Sequence, residues 1–294
     1  MKILVTGATG FVGRALCRAI VARGDRLVAV SRDVNRARRD VEGADAIVTT
    51  VDAAALEGVD AIVNLAGEPV SGRWTATKKA SIRASRVDRT KAIVDAMRSR
   101  ATRPHVLVSA SAIGFYGDRG DEVLRESSAP GSDYLAEVCV AWEAAANAAS
   151  SLDVRVVTPR IGLVMGDGGA LAAMRPMFAM GLGGPLGSGR QWWPWIHLDD
   201  LVRMILFAID RDVRGPINAC APSPVRQAEH ARALARAMRR PAFLPAPAFA
   251  LRAATGEFST ELLASRRVVP DRATELGFAW KHADLDEALT SIIR

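Results

Sequence analysis

The sequence predicts an α/β protein organised on a doubly wound parallel sheet, with a small, mainly helical region at its C-terminal end. Three observations carry this expectation. The first thirteen residues, MKILVTGATGFVG, read as a strand, a glycine-rich turn and a helix start. Apolar runs then alternate with helical segments as far as about residue 160. Beyond that point the alternation loosens, and the run Pro241, Pro245, Pro247 marks a boundary. The expected division is a Rossmann-type nucleotide-binding domain over residues 1–240, with substrate-side insertions after about 160, and a small C-terminal domain over 241–294.

Ile3, Leu4 and Val5 form a short apolar run suited to a buried strand. Gly7, Gly10 and Gly13 follow it, ahead of the helical run RALCRAIVARG. Glycines let the backbone turn sharply and approach a ligand, while free N–H groups at a helix start face negative charge. The whole turn (Gly7, Thr9, Gly10, Phe11, Val12 and Gly13) is therefore the candidate cofactor cradle. RLVAVS reads as the second strand and ends at Ser31-Arg32, with Arg36 one helical turn later. A hydroxyl and a guanidinium here suit the 2′-phosphate of NADP, whereas NAD sites carry an acid for the ribose hydroxyls. Asp33 would reach the ribose after a slight register shift. A solvated turn is the structural alternative.

ADAIVTT is the third expected strand, and Asp52 beyond it is either an acceptor for the adenine amino group or an exposed turn residue. VDAIVNLAG is a fourth, fully buried strand whose end, Leu65, Ala66 and Gly67, allows close cofactor approach. A single helical pattern spans Trp74–Arg98, with Lys78, Lys79, Arg83, Arg86 and Arg89 on a mostly solvated face. HVLVSAS is the fifth strand and runs into Ser109 and Ser111. Gly114–Gly131 reads as loop and holds Tyr116, one of two tyrosines; the other, Tyr134, begins the helix YLAEVCVAWEAAANAA. VRVVTPR is the sixth strand. After it come a short helix, a glycine-rich loop with Trp192, Trp193 and Trp195, and the amphipathic helix HLDDLVRMILFAID. A further helix follows, capped by Ser223 next to Pro224.

The net charge is +7, but the arginines are spread along the chain and lack neighbouring aromatics for base stacking. No nucleic-acid partner is expected; a basic module would be the third choice of function, and anionic substrates or cofactors suit the charge better. No apolar run approaches the ~20 residues of a membrane-spanning helix. A soluble, cytoplasmic protein without a membrane partner is expected, either monomer or dimer. The three cysteines, Cys17, Cys139 and Cys220, are widely separated without metal-type spacing.

The segments VTGATGFVG, NLAGEPV, SASAIGFYGD, AEVCVAWEAAA, PRIGLVMG, GLGGPLGSGRQWWPWIHLDDLV and LLASRRVVP occur in order across nearly the whole chain. With them the sequence resembles the extended short-chain dehydrogenase/reductase superfamily, in particular the nucleoside-diphosphate-sugar-epimerase-like subgroup that carries a small C-terminal domain of unknown function. The resemblance implies cofactor contacts at Arg86, Ser109 and Val164 besides those above, and Ser31-Arg32 makes NADP(H) the expected cofactor. It also implies a serine upstream of a Tyr-x-x-x-Lys helix. A tyrosine with pKa about 10 needs the lysine charge to act as a base near neutrality. Ser111 fits the serine and Tyr134 the tyrosine, but Val138 stands at the lysine position. Two functions follow. One is an NADP(H)-dependent oxidoreductase or epimerase acting on a small hydroxyl- or carbonyl-bearing substrate, with Ser111 and Tyr134 at the substrate oxygen, Arg86 as the replacement cation and Tyr116 as a reserve acid. The other is a non-catalytic NADP(H)-binding sensor or scaffold. The three tryptophans suit packing beneath the C-terminal region or a stacking platform for the substrate, and Arg190 suits an anionic substrate group. His197, isolated from other histidines and from cysteine, suits a helix cap or a core position and is no metal-ligand candidate.

Overall fold

Ile3, Leu4 and Val5 are fully buried on β1 (Lys2–Thr6), an interior strand of the computed structural model, which describes residues 1–293. The glycine turn leads into α1 (Phe11–Ala22), and β2 (Arg26–Val30), α2 (Val34–Asp40) and β3 (Ala46–Val48) step outward from β1. The chain then returns to lay β4 (Ala61–Asn64) on the other side of β1. Helices α3 (Ala76–Ala84) and α4 (Val87–Arg98) follow, then β5 (Val106–Ser109), β6 (Ser111–Ala112), β7 (Val123–Leu124), α5 (Tyr134–Asn147) and β8 (Arg155–Ile161). Next come β9 (Leu163–Met165), α6 (Gly169–Ala179), β10 (Trp192–Trp193), β11 (Trp195–His197), α7 (Leu198–Asp210) and β12 (Gly215–Ala219). The remainder is β13 (Val225–Arg226), α8 (Gln227–Met238), α9 (Ala248–Thr255), α10 (Ser259–Leu263), β14 (Arg267–Val268), α11 (Asp271–Glu275) and α12 (Leu285–Ile293).

The main sheet runs β3-β2-β1-β4-β5-β8-β12 with every pairing parallel. The doubly wound expectation holds, and the strand order reverses between β1 and β4. Both faces are covered, so the central strands are continuous apolar runs rather than alternating ones. Ile3 and Val5 point to a core shared with Leu16, Cys17 and Ile20 of α1 and Leu201, Ile205 and Ala208 of α7. Leu4 points the other way, to Ile93, Val94 and Met97 of α4.

Four local expectations are corrected. The helix 74–98 is two helices: the Ser85 hydroxyl donates to Ile82 O at 2.9 Å and accepts from the Glu68 amide, ending α3 before Arg86. Such hydroxyl-to-backbone bonds compete with helix continuation. The stretch 114–131 is not all loop, because it shares a 3-10 turn at Ile113–Tyr116 and contains β7, which pairs with β14 far downstream. The first helix starts at Phe11, which puts Gly13 inside its first turn. Ser223 does not cap α8; Arg226 holds the cap position, and its amide donates to Glu229 at 2.9 Å.

The C-terminal segment is fastened to the sheet side by a buried carboxylate. Asp200, fully buried at the start of α7, accepts from the backbone amides of Lys281 and His282 at 2.8 Å each and from the Arg203 guanidinium at 2.8 Å. Asp199 beside it takes the Lys281 ammonium at 2.9 Å. Replacing Asp200 with Ala strands the backbone amides of Lys281 and His282, and should cost about 3 kcal/mol in urea unfolding. A loss below about 1 kcal/mol would mean that this clamp is not structural.

His230 is 1% exposed, packed against Met165 and Trp193, and burial pushes its pKa down to about 4. The folded state keeps it neutral while the unfolded chain takes up a proton below about pH 6.5, so stability is full above 6.5 and falls as pH drops toward 4. The loss from this residue should reach about 3 kcal/mol at most. His230→Leu should flatten the stability curve between those pH values, measured by urea midpoints, and an unchanged slope would contradict it.

Candidate functional site

A cleft of about 600 Å³ lies over the C-terminal ends of β1, β2 and β4, at the point where the strand order reverses. Open α/β sheets bind ligands at such points. Thr6, Gly7, Thr9 and Gly10 form its floor. Gly7 has φ +69°, in the left-handed region that favours glycine, and a β-carbon there would lie 2.8 Å from Leu65 O. A β-carbon on Gly13 would lie 2.1 Å from Gly7 O, so α1 can start this close to β1 only with glycine at that position. Gly10, at the N-cap, brings no capping side chain, and the first turn of α1 carries no acid. Its leading amides are thus available to a phosphate. The Phe11 side chain turns away from the cleft: its ring packs so closely on Gly166 and Gly168 that β-carbons there would lie 2.8 and 2.5 Å from it.

Ser31, Arg32, Asp33 and Arg36 line the outer end, with Thr49, Thr50 and Val51. Asp33 caps α2 by accepting from the Arg36 amide at 2.9 Å, so its carboxylate already has a structural bond. Arg36 is held by Asp40 at 3.1 Å. Asp52 does not line the cleft; it accepts from the Ala55 amide at 2.9 Å as a turn residue. Arg89 enters the cleft from α4. Sequence periodicity alone leaves it on a solvated helix face, because the cleft forms only when α4 packs beside β4. Among the described residues neither Arg32 nor Arg89 has an ion-pair partner.

Leu65, Ala66, Gly67 and Glu68 form the inner wall. A buried chain of hydrogen bonds holds it: Thr6 to Asn64 at 2.7 Å, and Asn64 to Thr90 and Ser109 at 2.9 and 3.1 Å. Ser109 supports the wall from behind. Arg86 lies behind Gly67, donating to Glu68 O at 2.9 Å and Ile82 O at 3.2 Å, with Trp142 5.3 Å from its guanidinium. Burial lowers its pKa. Val164, on β9 beside Ile196 of β11, packs against the sheet core and does not line the cleft.

Ser111 and Tyr134 hydrogen-bond to different partners. The Tyr134 hydroxyl donates to Lys79 O at 2.6 Å, its ring meets Trp74 edge-on at 5.4 Å, and the Lys79 ammonium lies 5.0 Å from the ring centre. Burial raises its pKa, partly offset by Arg86 and Arg83. Val138 is buried with Ile82 and Leu135. Ser111 instead donates to Glu143 at 2.6 Å, and Glu143 accepts Arg160 in two bonds of 2.8 and 2.9 Å. Arg160 continues to the Tyr116 hydroxyl at 2.9 Å, which donates to Asn218 at 2.6 Å. Burial pushes the Tyr116 pKa up to about 12, so this tyrosine is a fixed member of the network rather than an accessible acid. Sequence reasoning missed Glu143 and Arg160; their signal was a charge set within the apolar patterns of AEVCVAWEAAA and VRVVTPR.

The tryptophans pack between segments. Trp192 donates to Asp121 at 2.8 Å beneath Arg226, Trp193 donates to Leu262 O at 3.3 Å, and Trp195 is 1% exposed. His197 is not isolated, which corrects the sequence expectation: His282 stacks on it with ring centres 3.7 Å apart. The ligand atoms of His197, Asp199 and His282 lie within 4.8 Å of one another. However, His197 Nδ1 accepts the Asp199 amide at 3.1 Å, which leaves the ring proton on Nε2, and Lys281 holds the Asp199 carboxylate. These bonds make the trio a cap and docking contact.

Comparison with known proteins bears on the whole chain. Residues 3–220 match the model of the NAD dependent epimerase/dehydratase family, and residues 246–292 match a domain of unknown function, DUF1731. The chain is 44% identical over 303 residues to the chloroplastic epimerase family protein SDR39U1 homolog of Arabidopsis thaliana, covering 100% of this chain and 87% of that protein. It is 33% identical over 299 residues to the epimerase family protein YfhF of Bacillus subtilis, covering 100% and 98%. Among solved structures it is similar to human epimerase family protein SDR39U1, isoform 2, with NADPH, at a TM-score of 0.90 and 32% identity, covering 100% of this chain and 99% of that one. UDP-glucuronic acid 4-epimerase from Bacillus cereus, in complex with UDP-glucuronic acid and NAD, matches at a TM-score of 0.80 and 16% identity over 100% and 98%, a likeness of fold.

The Glu143–Arg160 pair sets a test of the buried network. Glu143→Ala leaves a guanidinium that is 5% exposed without its carboxylate, and should cost about 3–5 kcal/mol. The paired change Glu143→Leu with Arg160→Met should recover most of that loss in chemical denaturation. Equal losses for the single and double variants would contradict the pairing.

Proposed function

The chain belongs to the NAD dependent epimerase/dehydratase family, and we propose that it binds NADP(H) in the strand-end cleft and exchanges hydride with a small hydroxyl- or carbonyl-bearing substrate. One observation carries the cofactor choice: Arg32 and Arg89 line the outer end of the cleft without acidic partners, while the nearby carboxylate of Asp33 is engaged in capping α2. A guanidinium pair with Ser31 suits a 2′-phosphate, and one oxygen of the Asp33 carboxylate is committed to the α2 cap. The Gly7–Gly13 approach supports a dinucleotide in the same cleft, because the glycines leave room for a pyrophosphate against the α1 amides. The NADPH of the human relative agrees with this choice.

Bound there, the nicotinamide would supply or accept hydride. Leu65–Glu68 would form the wall beside the inner part of the dinucleotide, with Arg86 holding that wall from behind. Tyr134 can give up a proton only by releasing Lys79 O, and with Val138 in place of a lysine it is suited to acid rather than base work. That same arrangement favours a second reading, cofactor binding without turnover.

Fluorescence titration should find NADPH bound at least about tenfold more tightly than NADH, and Arg32→Ala or Arg89→Ala should each erase about tenfold of that preference. Equal affinity for both nucleotides in the parent protein would overturn the 2′-phosphate assignment. For turnover, a panel of carbonyl substrates is monitored by NADPH oxidation, with Tyr134→Phe as control. Activity that collapses in the variant supports the enzyme reading. Tight NADPH binding with no turnover on any substrate supports the sensor reading.

A further inference from the structure

We propose that the exposed apolar face formed by the end of α6, the glycine loop after it and the proline segment before and into α9 docks peripherally on an anionic membrane surface. The two strips run side by side: Leu186 bridges to Ala246, Ala246 donates its amide to Pro185 O at 2.8 Å, and the Gly187 amide donates to Ala246 O at 2.8 Å. From them Phe243 and Phe249, each 74% exposed, and Met180, 62% exposed, project outward, with Met177, Leu182 and Leu244 exposed alongside. Pro241, Pro245 and Pro247 restrict the backbone that carries the two phenylalanines. Large side chains held outward in this number are unusual on a face that meets only water.

Charge decides the occupant. No Asp or Glu occurs between residues 168 and 198 or between residues 230 and 256, the two stretches that build this face. Arg239 and Arg240 lead directly into Pro241–Leu244, and Arg252 follows Phe249 on α9; among the described residues none of the three has an ion-pair partner. A second copy of the chain, packed by a two-fold axis, would set this acid-free, arginine-bearing face against the same face, with no carboxylate from those stretches to pair the arginines. An acidic surface suits them. The side chains are exposed, and apolar tips flanked by unpaired arginines are the arrangement by which a protein inserts at an interface of anionic headgroups and acyl chains. Binding of this kind requires no spanning helix, and no helix among the described residues is long and apolar enough to be one.

The full chain is sedimented with extruded vesicles of phosphatidylcholine alone, and of phosphatidylcholine and phosphatidylglycerol in equal parts. It should pellet with the mixed vesicles only and be released by high salt. The double variant Phe243→Ser/Phe249→Ser and the double variant Arg239→Gln/Arg240→Gln should each lower vesicle partition about tenfold or more. Both should keep the far-UV spectrum and NADPH titration of the parent, since every altered residue is exposed. The proposal is overturned if the parent pellets with neither vesicle, or if partition is unchanged in both variants. It is also overturned if the parent ignores vesicles but forms a dimer that the phenylalanine variant abolishes, or if it binds an acidic protein through this face instead.

Discussion

One backbone contact governs the rest of the molecule: the first turn of α1 sits against the end of β1, with Gly7 O 2.1 Å from where a β-carbon on residue 13 would lie. That approach sets the angle at which α1 leaves the sheet, and with it the packing of Leu16, Cys17 and Ile20 under Ile3 and Val5. It also directs the leading amides of α1 into the space above β1 and β4. Because the strand order reverses there, no neighbouring crossover covers that space. A packing requirement between two glycines thus leaves the start of α1 open to an anion.

Binding and catalysis separate in this chain. The cleft is built from backbone, arginines and the buried Thr6–Asn64–Ser109 chain, whose hydrogen bonds fix its inner wall. The two hydroxyls that would do proton chemistry belong to different systems. Ser111 is drawn into an ionic network with Glu143 and Arg160, and Tyr134 is tied to the α3 backbone. Without a lysine at residue 138, nothing at that position lowers the cost of the tyrosinate. The geometry therefore supports a firmly held dinucleotide more directly than it supports a tyrosine base.

The central strands were legible in the sequence because burial on both faces makes them unbroken apolar runs, as in Ile3–Val5 and Ala61–Val63. The turn at Gly7 was legible because the glycines carry a steric meaning. What escaped depends on tertiary partners. The pairing of Val123–Leu124 with Arg267–Val268 is two residues long and bridges distant segments, so no local period marks it. The break at Ser85 lies in a hydroxyl's choice of partner, which composition does not reveal. Arg89 and Glu143 read as ordinary helix charges until the packing of α4 and α5 shows one lining a cleft and the other buried against Arg160. His197 reads as isolated in the sequence because His282 lies 85 residues downstream and reaches it through the Asp200 clamp on the C-terminal segment.

The central claim is that the reversal-point cleft holds NADP(H) with its 2′-phosphate between arginines. A crystal structure of the protein grown with NADP⁺ tests it most directly. The 2′-phosphate should lie within hydrogen-bond distance of Ser31 and the Arg32 guanidinium, with the pyrophosphate on the leading amides of α1, Phe11–Gly13. Density showing the Asp33 carboxylate on the ribose hydroxyls with both arginines in solvent, or a dinucleotide bound outside the cleft, would contradict it.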